Sequence, residues 1–207
     1  MSFKKILVLD NFDSFTFNLV DFFRVAGCSV EVLRNDLPPA EFAKRNFELL
    51  VLSPGPSTPR KSRNLLPIIK HFATKKPIFG VCLGLEALLE FFGGSLKFVP
   101  PVHGKSSPIT HDGRTIFTGL PPNFLAGRYH SLAANCIPKC FQVSAQFSAP
   151  RQSKTAHSKE ALPMAIRHTK LPIEAVQFHP ESVLSMSESC GQKIIENVVA
   201  GKFANIK

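Results

Sequence analysis

A single cysteine stands between two glycines in Gly80-Val81-Cys82-Leu83-Gly84. Before it runs the apolar Pro77-Ile78-Phe79, and after it the helix-like Leu85-Glu86-Ala87-Leu88-Leu89-Glu90-Phe91-Phe92. The pattern predicts a short buried strand, a sharp turn carrying one thiol, and a helix. G-x-C-x-G is the cysteine form of the nucleophile elbow, whose glycines permit the tight turn and leave the nucleophile clear of the sheet. A helix N-terminus at that point favours the thiolate and sets backbone N–H groups near a developing oxyanion. Far downstream comes Gln177-Phe178-His179-Pro180-Glu181-Ser182. There His179 suits a general base and Glu181 an orienter of its ring. The chain order Cys, His, Glu supplies nucleophile, base and orienter for acyl transfer. Alone, Cys82 reads as a buried structural thiol and His179 as a strand-end histidine; the combination turns both readings toward catalysis.

Elements must bring these distant residues together. Residues 4–9 read as a strand ending at Asp10-Asn11, 15–26 as a helix stopped by Gly27, and 29–33 as a second strand. Residues 47–52 form another apolar run, leading into Ser53-Pro54-Gly55-Pro56. Residues 65–72 read as a helix before the strand that ends at Cys82. This alternation predicts an α/β fold with a mostly parallel central sheet and helices on both faces. Functional loops then gather at the C-terminal ends of the strands. The second half is more strand-like. Residues 106–110 and 115–117 suggest a hairpin about His111-Asp112-Gly113, and 142–146 and 164–167 flank a polar loop at 151–160. Residues 173–178 form the strand that delivers His179, and a last helix is expected over 190–200.

Composition narrows the possibilities. The 207 residues suit one domain over 1–207. No run reaches the length of a membrane span, and the first residues lead into a strand instead of a signal peptide, so a cytoplasmic protein away from membranes is expected. The five cysteines are odd in number and scattered, which suits a reducing compartment. Cys136 and Cys140 lack a second Cys/His pair at ligand spacing, so no metal site is expected. The net charge of +10 is spread along the chain without a recognition helix, basic stripe or aromatic RNA-binding motif. Nucleic acid is therefore not an expected partner.

Six segments in order resemble the glutaminase subunits of class I (triad-type) glutamine amidotransferases. They are Asp10-Asn11-Phe12-Asp13-Ser14-Phe15-Thr16-Phe17-Asn18-Leu19, Ser53-Pro54-Gly55-Pro56, the elbow from Gly80 to Gly84, His103-Gly104-Lys105, Arg128-Tyr129-His130-Ser131-Leu132, and the segment from Gln177 to Ser182. The match is closest to the small subunits of anthranilate synthase and aminodeoxychorismate synthase, and it spans the chain. The resemblance implies a single flavodoxin-like domain with the class I amidotransferase fold. It implies that Cys82 attacks the side-chain amide of glutamine, His179 moves the proton, and Glu181 holds the imidazole. It places the oxyanion on backbone N–H groups of Gly55 and Leu83, and the amino-acid end of glutamine near Ser131, Leu132 and residue 86. It implies a partner that takes the released ammonia, a chorismate-binding synthase subunit. It further implies no cofactor in this chain and magnesium in the synthase.

One departure matters. The family usually carries Cys-Leu-Gly-His-Gln at the elbow, whereas this chain has Cys82-Leu83-Gly84-Leu85-Glu86. An ionised glutamate only accepts hydrogen bonds, while glutamine also donates. Facing the substrate's ammonium, Glu86 serves well; facing its carboxylate, it repels. A non-catalytic scaffold whose glutamine pocket is altered by Glu86 is the alternative function, and a free-standing amidase is a third.

Overall fold

The apolar runs of the first half form parallel strands buried on both faces. A computed structural model describes residues 2–147 and 161–203. Within it lie β1 (Lys5–Asp10), β2 (Ser29–Arg34), β3 (Leu49–Leu52) and β4 (Ile78–Val81), with α1 (Thr16–Val25), α2 (Pro39–Ala43), α3 (Leu65–Phe72) and α4 (Leu83–Phe91) between and after them. Then follow β5 (Ser95–Phe98), β6 (Lys105–His111), β7 (Asn123–Arg128), β8 (Leu132–Cys136), β9 (Phe141–Phe147), β10 (Leu162–His168), β11 (Ile173–Val176) and α5 (Cys190–Val199).

Side-chain alternation along β1 explains its unbroken hydrophobicity. Ile6 and Val8 join a core with Leu19, Val20 and Phe23 of α1 and with Ile194, Ile195 and Val198 of α5. Leu7 and Leu9 join the opposite core, with Phe42 of α2, Ile68 and Ile69 of α3, and Leu88 of α4. Helices thus cover both faces, and a strand with two buried faces has no polar side to show.

Among the described residues the main sheet runs β2-β1-β3-β4-β11-β10-β9-β6-β7. The first five strands are mutually parallel. The remaining four add antiparallel pairings, and β5 pairs with β8 apart from the main sheet. The strand order reverses beside β1, a topological switch point whose C-terminal crevice is a natural place for a site.

The hairpin expected over 106–110 and 115–117 does not form. β6 pairs instead with β7 and β9, and Thr115–Phe117 is a turn of 3-10 helix. Asn197 on α5 explains this, because its amide donates to the carbonyls of Ile116 (2.9 Å) and Thr118 (2.8 Å). The polar stretch 151–160 lies outside the described residues.

Candidate active site

Four parallel strands end at one edge, and each delivers a segment picked out by its residues. β1 ends in Asp10-Asn11, β3 leads to Ser53-Pro54-Gly55, β4 to Cys82, and β11 to Gln177-Phe178-His179. Adjacent β4 and β11 are in register from Ile78↔Ile173 to Val81↔Val176, so Cys82 and Gln177 leave the sheet side by side. The Cys82 N–H donates to Val176 O at 2.8 Å and locks that junction.

The elbow is sharp. Cys82 has φ 51° and ψ −103°, a conformation non-glycine residues rarely adopt, and α4 begins at the next residue. A methyl group on Gly80 would lie 2.9 Å from the carbonyl carbon of Gly84, and one on Gly84 would lie 2.6 Å from Leu52 O. The glycines are required because strand, turn and helix pack backbone to backbone. Gly55 is similarly enclosed, since a Cβ there would lie 2.5 Å from Leu83 Cδ2 and 2.6 Å from Asn11 Cβ. Its loop therefore sits directly on the elbow. Asn11 holds it there, its backbone N–H donating to Ser53 Oγ (2.9 Å) and its side-chain amide to Ser53 O (2.9 Å). Asp10 organises the preceding turn by accepting from Phe12 N and Thr16 Oγ1, each at 2.9 Å.

His179 is buried, with Nδ1 2.7 Å from Glu181 Oε1. The other ring nitrogen, Nε2, is buried without a hydrogen bond of ordinary geometry, and the Cys82 thiol acts on the imidazole both by charge and as a hydrogen-bonding neighbour. Burial works against a charged imidazole, yet Glu181 and then Cys82 outweigh it and hold the ring's pKa well above the usual histidine value. Burial pushes the Cys82 thiol up, and the neighbouring imidazole pulls it partly back. The ring packs against an aromatic pair, Phe15 and Tyr129, whose centroids lie 5.1 and 5.0 Å from it and 4.9 Å from each other. Its backbone is pinned to β7, where His179 N donates to Gly127 O at 3.0 Å. Ser185 Oγ donates to His179 O and accepts from Gly127 N. The antiparallel strands therefore brace the loop that carries the histidine.

Glu86 points inward and is 3 % exposed. Its Oε1 accepts from Gln177 Nε2 at 3.0 Å, and the same nitrogen lies 3.7 Å from Cys82 Sγ. Burial raises the Glu86 carboxyl to about 7, against the opposing hydrogen bond from Gln177. Leu83, the first residue of α4, is fully buried, and its N–H has no carbonyl partner within the helix.

Ser131 and Leu132 lie apart from this cluster in their hydrogen bonding. Ser131 O accepts from Val99 N at 2.9 Å, and Leu132 O is 2.7 Å from His130 Nδ1. Arg128 is buried in β7, where its Nε donates to His130 Nε2 at 3.1 Å and its guanidinium covers Phe147. His103 and Lys105 are exposed. Sequence reasoning gave no role to Gln177 and did not find the Phe15–Tyr129 pair. Gln177 directly follows β11, which ends at Val176, so no strand periodicity marks it. No spacing rule links Phe15 to Tyr129. Among the described residues no group of three or more His, Cys, Asp or Glu is arranged to hold a metal ion.

His130 makes the fold acid-sensitive. Its partners fix a neutral ring with the proton on Nδ1, and burial followed by repulsion from Arg128 lowers its pKa from 6.5 to about 4. Between those values the unfolded chain takes up a proton that the folded chain refuses. Stability is therefore lost as pH falls through that window, by about 3 kcal/mol in full. Glu86 and Glu174, each raised to about 7 chiefly by burial, act in the opposite sense between their unfolded and folded values. The comparison is thus between parent and His130→Asn in urea melts at pH 7 and pH 5. The variant should lose less stability on acidification, and equal losses would refute the buried neutral ring.

Comparison with known proteins gives a consistent picture. Residues 7–200 match the model of the family described as glutamine amidotransferase class-I. The chain is 43 % identical over 202 residues to anthranilate synthase component 2 of Haloferax volcanii, covering 93 % of this chain and 94 % of that protein. It is 44 % identical over 198 residues to aminodeoxychorismate/anthranilate synthase component 2 of Bacillus subtilis, covering 94 % and 95 %. Among solved structures, a putative GMP synthase subunit from Thermoplasma acidophilum superposes with a TM-score of 0.79, 24 % identity and coverage of 97 % and 94 %, a likeness of fold.

Proposed function

The chain belongs to the class-I glutamine amidotransferase family, and from that premise we propose that it is the glutaminase subunit of a chorismate-using synthase, either anthranilate synthase or aminodeoxychorismate synthase. The observation that carries the mechanism is the His179–Glu181 contact of 2.7 Å together with an unpartnered Nε2 beside the Cys82 elbow. Cys82 Sγ attacks the side-chain carbonyl carbon of glutamine while His179 Nε2 accepts the thiol proton. The carbonyl electron pair moves onto oxygen, which the N–H groups of Gly55 and Leu83 receive. His179 returns the proton to the departing nitrogen, and ammonia leaves with a glutamyl thioester behind. Water, deprotonated by His179, then cleaves the thioester to glutamate and restores the thiol. Glu181 keeps the imidazole oriented and favours its charged form at each transfer.

The partner reading draws on two kinds of support. Both relatives are named as component 2 of their synthases. In addition, Phe17 (59 % exposed) on α1 and Val183 (75 % exposed), just past Glu181, put large apolar side chains on the edge where the site opens. Such groups suit a surface that another protein covers. Ammonia handed directly to that partner would aminate chorismate instead of escaping to solvent. The scaffold reading rests on Glu86, whose carboxylate would repel the carboxylate of glutamine if it faced that group.

One labelling experiment separates the two. Intact-mass analysis after treatment with an electrophilic glutamine analogue should show a single adduct on the native chain, with or without synthase, and none on Cys82→Ala. Absence of a native adduct, with labelling restored in Glu86→Gln, would establish the scaffold instead.

A further inference from the structure

Gln177 has no part in the steps above, yet its fully buried side chain lies between the nucleophile and a buried carboxyl. Its Nε2 reaches Glu86 Oε1 (3.0 Å) and Cys82 Sγ (3.7 Å), while its Oε1 is buried without a partner. An amide so placed has directed its donors, not its acceptor, at the two groups whose protonation matters. Glu86 feels Gln177 and His179 from the segment after β11, Cys82 from the elbow, and Glu90 along α4. Glu90 is itself 3.5 Å from Arg60, which answers part of its charge. Burial and Glu90 disfavour a Glu86 carboxylate, and the Gln177 hydrogen bond and His179 favour it. The Glu86 charge in turn makes the thiol a weaker acid.

We propose that Gln177 is a positioning residue whose amide N–H, aimed at Glu86 and lying beside Cys82, favours the Glu86 carboxylate against its burial, and so tunes the acidity of the nucleophile. The proposal rests on the reading of Cys82 as that nucleophile. It assigns the family-divergent glutamate a function beyond substrate contact: through Gln177 it acts as a brake on the resting thiol. Protonating Glu86 relieves the brake.

The test is the rate of Cys82 carbamidomethylation by iodoacetamide from pH 6 to 9, followed on the Cys82 peptide by mass spectrometry. Parent, Glu86→Gln, Gln177→Met and the double variant are compared without glutamine. Lowering a thiol's pKa by one unit raises the thiolate population about tenfold and lowers its intrinsic reactivity about threefold, a net gain of about threefold below the pKa. Glu86→Gln should therefore speed Cys82 alkylation about threefold at pH 7.5 and remove an inflection near pH 7. In the Gln177→Met background Glu86 has lost the hydrogen bond that favours its charge. Adding Glu86→Gln there should change the rate less than about 1.5-fold, since a neutral group replaces a neutral group. An equal effect of Glu86→Gln in both backgrounds, or none in either, would overturn the proposal while leaving the nucleophile intact. No alkylation of Cys82 at any pH would overturn both. Should Gln177→Met fail to fold, Gln177→Asn withdraws the same amide by one methylene and serves in its place.

Discussion

Cys82→Ala is expected to lower glutamine-dependent product formation by more than about a thousandfold, while ammonia-dependent formation by the assembled synthase is unchanged. The split follows from the division of labour. The thiol is needed only to liberate ammonia, so supplying ammonia bypasses it. On the proposed mechanism water cannot replace the sulfur at comparable rate, because the elbow presents Sγ and no activated water in its place. His179→Ala should cost nearly as much if Nε2 receives the thiol proton as proposed. Glu181→Gln should cost less, since an amide still accepts from Nδ1 but no longer balances an imidazolium. The measurement is steady-state turnover with glutamine and with ammonium salt on the same preparation. Glutamine-dependent turnover surviving in Cys82→Ala would sink the nucleophile assignment.

Gly84→Ala should be the most damaging single methyl in the parallel half. The added carbon would stand 2.6 Å from Leu52 O and 2.8 Å from Leu52 Cβ. Neither atom can step aside without shifting β3, a strand with Leu49, Leu50, Val51 and Leu52 all fully buried. The expected cost is about 3 kcal/mol of stability, the range for overpacking against a rigid backbone. α4 would be pushed from the sheet, and glutaminase activity should fall even where the protein stays folded. Gly113→Ala offers the contrast, because nothing lies within 4 Å of its added methyl, although its φ of +70° still carries some backbone strain. Urea melts of both variants measure the difference. Equal destabilisation would mean that the close packing of elbow and sheet is not what fixes Gly84.

The legible parts of this chain were those in which local pattern and long-range packing agree. β1, β3 and β4 are apolar on both faces, so length and flanking turns were sufficient to read them. The site segments were legible because glycine, proline and charged residues interrupt those runs at strand ends. Thr115–Phe117 misled because Thr, Ile and Phe are good strand residues, while the carbonyls of that segment are claimed by Asn197, far away in sequence. The burial of Arg128 was not legible for a related reason, since only the fold supplies Ser107, His130 and the Phe147 ring around it. For Glu86 the sequence left open whether the carboxyl meets the ammonium or the carboxylate of glutamine, and it gave no sign of the buried contact with Gln177, 91 positions away.

The chain leaves the parallel sheet after α4 and returns to it only at β11, having built β5 to β10 on the way. Gln177 and Cys82 are 95 positions apart although they touch. Closing a loop of that length costs about 4 kcal/mol of chain entropy, recovered only when β11 docks against β4. On a growing chain the thiol therefore emerges long before its base. Until the last strand is made, Cys82 has no imidazole to draw off its proton and behaves as an ordinary, weakly reactive cysteine. On the proposed assignment, the order of synthesis thus keeps the thiol and its base apart until the domain is nearly complete.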